Sequence, residues 1–398
     1  MLASVGWGDD VRADFLAHEG RRQPSVDADY YLPLKFDPDQ LRGTLREIEA
    51  ETLAKLGPLS PAGGLMRFMS EQYRLVIDML VARGTDEFGQ LSMLLYGSPH
   101  DVVHAGGPTV AELAHELREM LEAMSGSAME LEDERTIPGD EAARLLQERF
   151  DTSMGPGKVD VRLDDGIVAD AAAGSTYVKV RADRFFSDRD LRLLEAHEGW
   201  VHIGTTQTGL SQPYCTFLGK AAPRTTVTQE GLAVLCEVLT LRSYPRRLSK
   251  LLRRVEGIAM AAEGATFLDV YRSYLEDDTD PDDAYDSAAR IFRGSTPTGG
   301  PFAKDLGYGK GFVTTTAYVR AALRLGQLDR IPMLFCGKVD LLDMRAVHHL
   351  EDEGLVSQPE WVPPPFDDLP ALASTIAMLR FAGGVNIDQI EADVSVLF

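Results

Sequence analysis

Cysteine is scarce. Cys215, Cys236 and Cys336 are the only three in 398 residues, and none forms a C-x-x-C pair. That excludes a disulfide framework and reads as reduced thiols in a reducing compartment. Long apolar runs are absent as well: no stretch approaches the roughly 20 residues a membrane span needs. Basic charge is in short supply, with 40 Lys and Arg against 62 Asp and Glu, a net charge of −22. Nucleic acid needs a basic footprint and an anionic membrane surface would repel the chain, so neither partner is expected. The opening residues, MLASVGWGDDVRADF, lack the basic-then-apolar order of a signal peptide. The expected location is the cytoplasm.

The rest is globular in character. Hydrophobic residues at 44% and charged residues at 26% suit a soluble core, and the length allows more than one domain. Capping signals predict a first long helix in FDPDQLRGTLREIEAETLAKLG. Asp37 can cap it, Pro38 fits its first turn, and Leu41, Leu45, Ile48 and Leu56 recur on one face before Gly57. Helical patterns also cover residues 65–83, 110–124 and 140–150, so residues 1–150 read as a helical N-terminal region. After residue 150 the texture changes. Residues 159–163, the pair Asp165-Gly166 and residues 167–169 predict a hairpin. Residues 177–181 alternate as a half-buried strand bordering the cleft. Ser187 and Asp190 open a helix expected to end near Gly204. Another is expected to begin near Thr228 and stop before Pro245. The fold class expected is α+β, predominantly helical, with a small sheet in a second domain spanning residues 151–398.

The chemistry lies in HEGWVH, residues 197–202. In H-E-x-x-H the histidines are four apart, about 40° around a helix, and share a face. Five apart is about 140°, too far for one ion. A π-type turn, with i to i+5 hydrogen bonds, brings them back together. The spacing therefore predicts a wide turn between Ala196 and Ile203, with Gly199 easing the distortion. His197 and His202 then offer nitrogens suited to Zn²⁺, one ion per chain. Glu198 would face the open position as general base. Catalytic zinc keeps three protein ligands. Glu230, in TQEGLA, is the best candidate for the third, and Glu237 on the same face could hydrogen-bond a ligand histidine.

HEGWVH followed by RTTVTQEGLAVLCE resembles the microtubule-associated tyrosine carboxypeptidase family, whose bacterial members are often labelled flavohemoglobin expression-modulating QEGLA-motif proteins. The later block FRGSTPTGGPFAKDLGYGKG, residues 292–311, is similar to that family's R-G, G-G and K-D-x-x-Y-x-x-G elements. The resemblance runs from about Tyr30 to the C-terminus. It implies a zincin-type metallopeptidase that removes a C-terminal residue from a peptide or protein. His197, His202 and Glu230 would be its ligands and Glu198 its catalyst. It does not transfer the substrate.

Within the 292–311 block, Arg293, Lys304 or Lys310 could bind a substrate carboxylate, with Arg224 as a further cation. Tyr308 could donate to an oxyanion. GYGKGF is not a P-loop, since it lacks the upstream glycine and the Ser/Thr after Lys. His100-Asp101-Val102-Val103-His104 copies H-E-x-x-H with Asp for Glu, but reads better as a short capped helix. His115-Glu116 reads as surface and His348-His349 as part of a solvated helix. A zinc carboxypeptidase is the expectation. A non-catalytic metal-binding regulator and a hydrolase of small amides stay open, as does the oligomeric state.

Overall fold

A computed structural model of the chain describes residues 4–124, 134–167, 169–277 and 279–382. It is 64% helical with small sheets, the α+β, predominantly helical class expected. Among the described residues, no helix is long and apolar enough to cross a membrane.

The first long helix runs Pro38–Leu56. Asp37 caps it by accepting from the N–H groups of Asp39 and Gln40, and Gly57 stops it at φ 77°. Its apolar stripe is not the core face the periodicity suggests. Leu41, Ile48 and Leu56 stay 39%, 37% and 46% exposed. The helix packs chiefly on one neighbour, Pro61–Val81, which covers only a narrow strip of it. The main core joins early and late segments: Phe15, Met79 and Phe88 pack with Phe267, Phe292 and Phe302.

Strands β1 (Ile137–Pro138) and β5 (Phe185–Phe186) pair antiparallel. Strands β2 (Asp160–Asp164), β3 (Ala171–Ala173) and β4 (Tyr177–Arg181) form a second sheet in the order β2-β4-β3. The Asp165-Gly166 hairpin does not form. β2 runs parallel to β4, Val161 opposite Val178, while β3 and β4 make the antiparallel pair. Gln147 supplies the reason. Its amide donates to Val159 O and accepts from Val161 N, taking main-chain groups a hairpin partner would use. Val168, in the expected second strand, lies outside the described residues. β4 alternates as expected, with Val178 and Val180 fully buried.

Ser187 and Asp190 form a reciprocal capping box that starts the helix Asp188–Leu194. The helix does not end near Gly204. It passes through a π-helical segment, Glu195–Ile203, and resumes as α-helix over Gly204–Leu210. Gly204 keeps right-handed helical angles (φ −53°, ψ −51°), so it breaks nothing. The next helix begins at Thr225 rather than Thr228 and runs to Leu239.

Candidate metal centre

All of HEGWVH lies within the π-helical segment, the wide turn its spacing requires. The imidazoles of His197 and His202 end up with ring centroids 4.8 Å apart and planes at 87°. Gly199 serves this geometry differently from the expectation. No left-handed φ is involved; a Cβ there would lie 2.2 Å from the Phe150 ring. The residue is small because Phe150 packs against the turn. Lys338 ties the turn to the neighbouring helix, its ammonium donating to His202 O at 2.7 Å and to Gln229 Oε1 at 2.8 Å.

Gln229 adjoins Glu230 in the helix Thr225–Leu239, which packs closely on Gly307–Leu325. A Cβ on Gly231 would lie 2.2 Å from the Gly311 backbone, so the QEGLA glycine permits that approach. The approach brings Tyr308 to the histidines, its ring centroid 6.1 Å from that of His197.

Glu230 Oε2 lies 3.2 Å from His197 Nε2 and 3.6 Å from His202 Nε2. Ligand atoms from the three residues all fall within 4.8 Å of one another. Tetrahedral zinc with bonds near 2.0–2.1 Å sets its ligand atoms roughly 3.3 Å apart, so the nest fits the ion. Its electrostatics agree. Burial would lift the Glu230 carboxyl, but Lys304 and the two histidines hold it well below its usual range. Lys304 Nζ is 3.3 Å from Glu230 Oε1. Burial lowers both imidazoles. At His197 the hydrogen bonds with Glu230 and Glu237 outweigh it and push the group up to about 9, whereas His202 ends below its ordinary value.

Glu237, with no exposed side-chain surface, lies 2.7 Å from His197 Nδ1 and is itself held by Arg247 at 2.9 Å. Its carboxyl stays ionised, at about 2, because Arg247 and His197 outweigh its burial. An ionised acceptor at Nδ1 fixes the proton there and leaves Nε2 its lone pair for a ligand. Glu198 turns towards β3, where Ala173 N–H donates to its Oε2 at 2.9 Å. β3, an edge strand, thus makes the cleft contact expected of β4. Tyr308 is 8% exposed. Burial and the charge of Glu230 raise its phenol above the usual value, keeping it a neutral donor.

A cavity of about 140 Å³ opens beside His197, Glu198 and Tyr308. Cations from the helix Pro245–Ala262 line it: Arg247, Lys250 and Arg254, joined by Arg290. Arg254 and Arg247 stand 5.0 and 5.7 Å from the centre of the Tyr308 ring. Arg254 and Arg290 share Asp305, at 3.6 and 2.9 Å. A cationic lobe therefore adjoins the metal nest.

A model of the microtubule-associated tyrosine carboxypeptidase family matches residues 13–384. The chain belongs to that family. No curated protein matches it.

In this tyrosine carboxypeptidase family member the cations singled out from sequence do not line the cavity. Arg224 packs on Phe68 and pairs with Asp340 and Asp343, at 3.3 and 2.5 Å. Arg293 is buried over the Phe302 ring. Lys304 is held by Glu230 and Lys310 by Asp101. The cavity cations were overlooked in PRRLSKLLRRVEG, although positions 247, 250 and 254 fall within about 60° of arc on a helix. That spacing was the available signal, but a basic helix face ordinarily reads as solvated. The His100–His104 stretch forms turns and a bridge between Val102 and Thr109, with no helix. His115 is exposed beside Glu119. Of the pair at 348 and 349, His349 is exposed as expected, whereas the His348 side chain is only 17% exposed and contacts Tyr318 and Glu351.

Proposed function

We propose that the chain is a zincin-type, zinc-dependent carboxypeptidase that removes a residue from the C-terminus of a peptide or protein. One observation carries the reading. Both histidine Nε2 atoms meet a single oxygen of Glu230 at tetrahedral-edge distances, with Glu198 next in sequence and pinned by β3. Among the described residues the metal group has three members. Structural zinc sites are closed by four protein ligands, whereas catalytic ones keep a position open.

Zinc held by His197, His202 and Glu230 would supply Lewis acidity towards a water and the scissile carbonyl. Glu198 takes the proton of the attacking water and delivers it to the leaving amine. The Ala173 N–H fixes the Glu198 carboxylate for both transfers. Tyr308, neutral and adjacent, donates to the developing oxyanion. Arg247, Arg254 and Arg290 receive the terminal α-carboxylate, reversing locally the repulsion of a chain of net charge −22. The family name describes removal of a terminal tyrosine, and the terminal carboxylate is the part of that substrate these cations match.

Metal analysis and peptide turnover test the reading together. Wild type should bind zinc near one per chain. Glu230→Ala should lose the metal, and Glu198→Gln should keep it while activity collapses. Amidating a peptide's C-terminus should abolish cleavage, whereas acetylating its N-terminus should not. Equal turnover of amidated and free-acid peptides would exclude a carboxypeptidase.

A further inference from the structure

We propose that Lys338 is a positioning residue for the metal centre: its one amine holds the main chain of His202 and the side chain of Gln229, and so sets His202 against Glu230. This rests on the reading of His197, His202 and Glu230 as metal ligands and names what fixes the second of them. The two histidines are not held alike. His197 is oriented through its ring, with Glu237 Oε1 2.7 Å from Nδ1. Among the described residues the ring of His202 has no carboxylate at Nδ1, and its one ion-pair contact is Glu230 Oε2, 3.6 Å from Nε2. Its direction therefore depends on how the backbone beneath it is held.

That backbone lies where the helix changes type. The π-helical segment ends at Ile203 and α-helix begins at Gly204. Where i to i+5 bonding gives way to i to i+4, the ladder passes over one carbonyl, and a buried carbonyl needs a donor. Side chains supply donors at this return. Thr205 Oγ1 donates to Val201 O at 2.6 Å, and Thr206 Oγ1 and Lys338 Nζ each donate to His202 O at 2.7 Å. The two threonines sit one turn on from those carbonyls and move with the helix. Lys338 arrives from a different segment.

That segment is firmly placed. The Lys338 N–H donates to Leu218 O at 2.6 Å, and a Cβ on Gly337 would lie 2.7 Å from Leu218 Cβ, so the chain runs tight against Leu218. Beyond it Val339 is buried, and Leu341 N–H donates to Thr228 Oγ1 at 3.1 Å. From this mount the amine makes its second donation, to Gln229 Oε1 at 2.8 Å. Gln229 is buried and adjoins Glu230 in the helix Thr225–Leu239. Thr205 Oγ1 lies 2.8 Å from the same amide oxygen. One side chain thus ties the carbonyl of one ligand to the neighbour of another.

The bridge does not depend on the charge of the lysine. Burial draws the Lys338 ammonium down to about 7, against the pull of Glu230 and Glu198. A neutral amine still carries two N–H donors, enough for both contacts. Lys338 is absent from the lining of the cavity beside Glu198. Its effect on the reaction therefore passes through the ligands it holds.

The test compares the full wild-type chain, stripped of metal, with Lys338→Met and Gln229→Leu. Each is titrated with Co²⁺, and with Zn²⁺ in competition with a chelator. Wild type should give the intense visible absorption of a four-coordinate Co²⁺ site. Both variants should weaken or shift that absorption. They should also bind Zn²⁺ roughly ten- to a hundredfold less tightly, the usual effect of losing a group that orients a ligand. At saturating zinc, kcat should fall while KM stays close to the wild-type value. Urea midpoints are read alongside, because a merely structural role would lower them and leave the Co²⁺ spectrum unchanged. A wild-type spectrum and affinity in either folded variant overturns the proposal and leaves the ligand assignment intact. Should Lys338→Met not fold, Gln229→Leu decides, since it cuts the bridge on its other side. A wild-type chain that binds neither metal overturns the ligand assignment as well.

Discussion

At the scale of single residues, the His–His–Glu group is held by side chains outside it. Glu237 is one, fixing His197 through Nδ1 while Arg247 fixes Glu237. Partners of ligand histidines typically contribute ten- to a hundredfold to metal affinity. Glu237→Gln keeps the shape but removes the charge, leaving buried Arg247 uncompensated. Zinc affinity measured by competition with a chelator should therefore fall by roughly ten- to a hundredfold, while Glu230→Ala should abolish binding. Unchanged affinity in Glu237→Gln would mean that His197 is oriented by packing alone. The parts of the metal nest were readable in sequence because each is local: a spacing of five, an acid beside the first histidine, and two acids seven apart on one helix, although the two helices that carry them meet only in the fold. The cavity cations were not. Nothing in PRRLSKLLRRVEG says whether its basic face meets water or a cavity, since that is decided by Asp170, Asp305 and Tyr308 arriving from other segments.

Elements were legible where their signals are internal to the segment. The Asp37 cap, the Ser187–Asp190 box and the alternation of Val178 and Val180 each involve neighbours in sequence, and all three form. The Asp165-Gly166 hairpin fails because its outcome is set by Gln147 and by pairing with β4, both distant in sequence. The π-helical segment combines the two cases. Spacing demands the wide turn, but Phe150 shapes its surroundings and Lys338 secures its carbonyl. Gly199→Ala should therefore act through packing. The added methyl meets a ring, and overpacking of this kind costs about 1–3 kcal/mol. Urea denaturation should show that loss, and Phe150→Leu in the same chain should recover part of it. A purely additive double mutant would indicate that Phe150 is not what excludes a side chain at Gly199.

For the whole molecule, charge acts in two opposed ways as pH falls. The net charge of −22 repels itself, and protonating surface carboxylates relieves that repulsion. The buried carboxylates act in the other direction. Arg290, Arg254 and Arg293 outweigh burial and depress Asp305, and Lys250 and Arg135 help hold Asp170 at about 2. Both folded values lie below the ordinary aspartate value near 3.9. Their contribution is therefore complete above about pH 5 and is lost as pH drops through 4 towards 2. Salt separates the two effects, because the screening length shrinks to about 3 Å at 1 M and buried pairs are screened far less. In high salt the urea midpoint should hold steady from pH 7 to 5 and then fall steeply below 4. Asp305→Asn should be less stable at pH 7, having left Arg254 and Arg290 without their carboxylate, yet should lose less on acidification. If the variant's acid slope matches that of wild type, Asp305 is not part of what holds the cationic lobe against the metal nest.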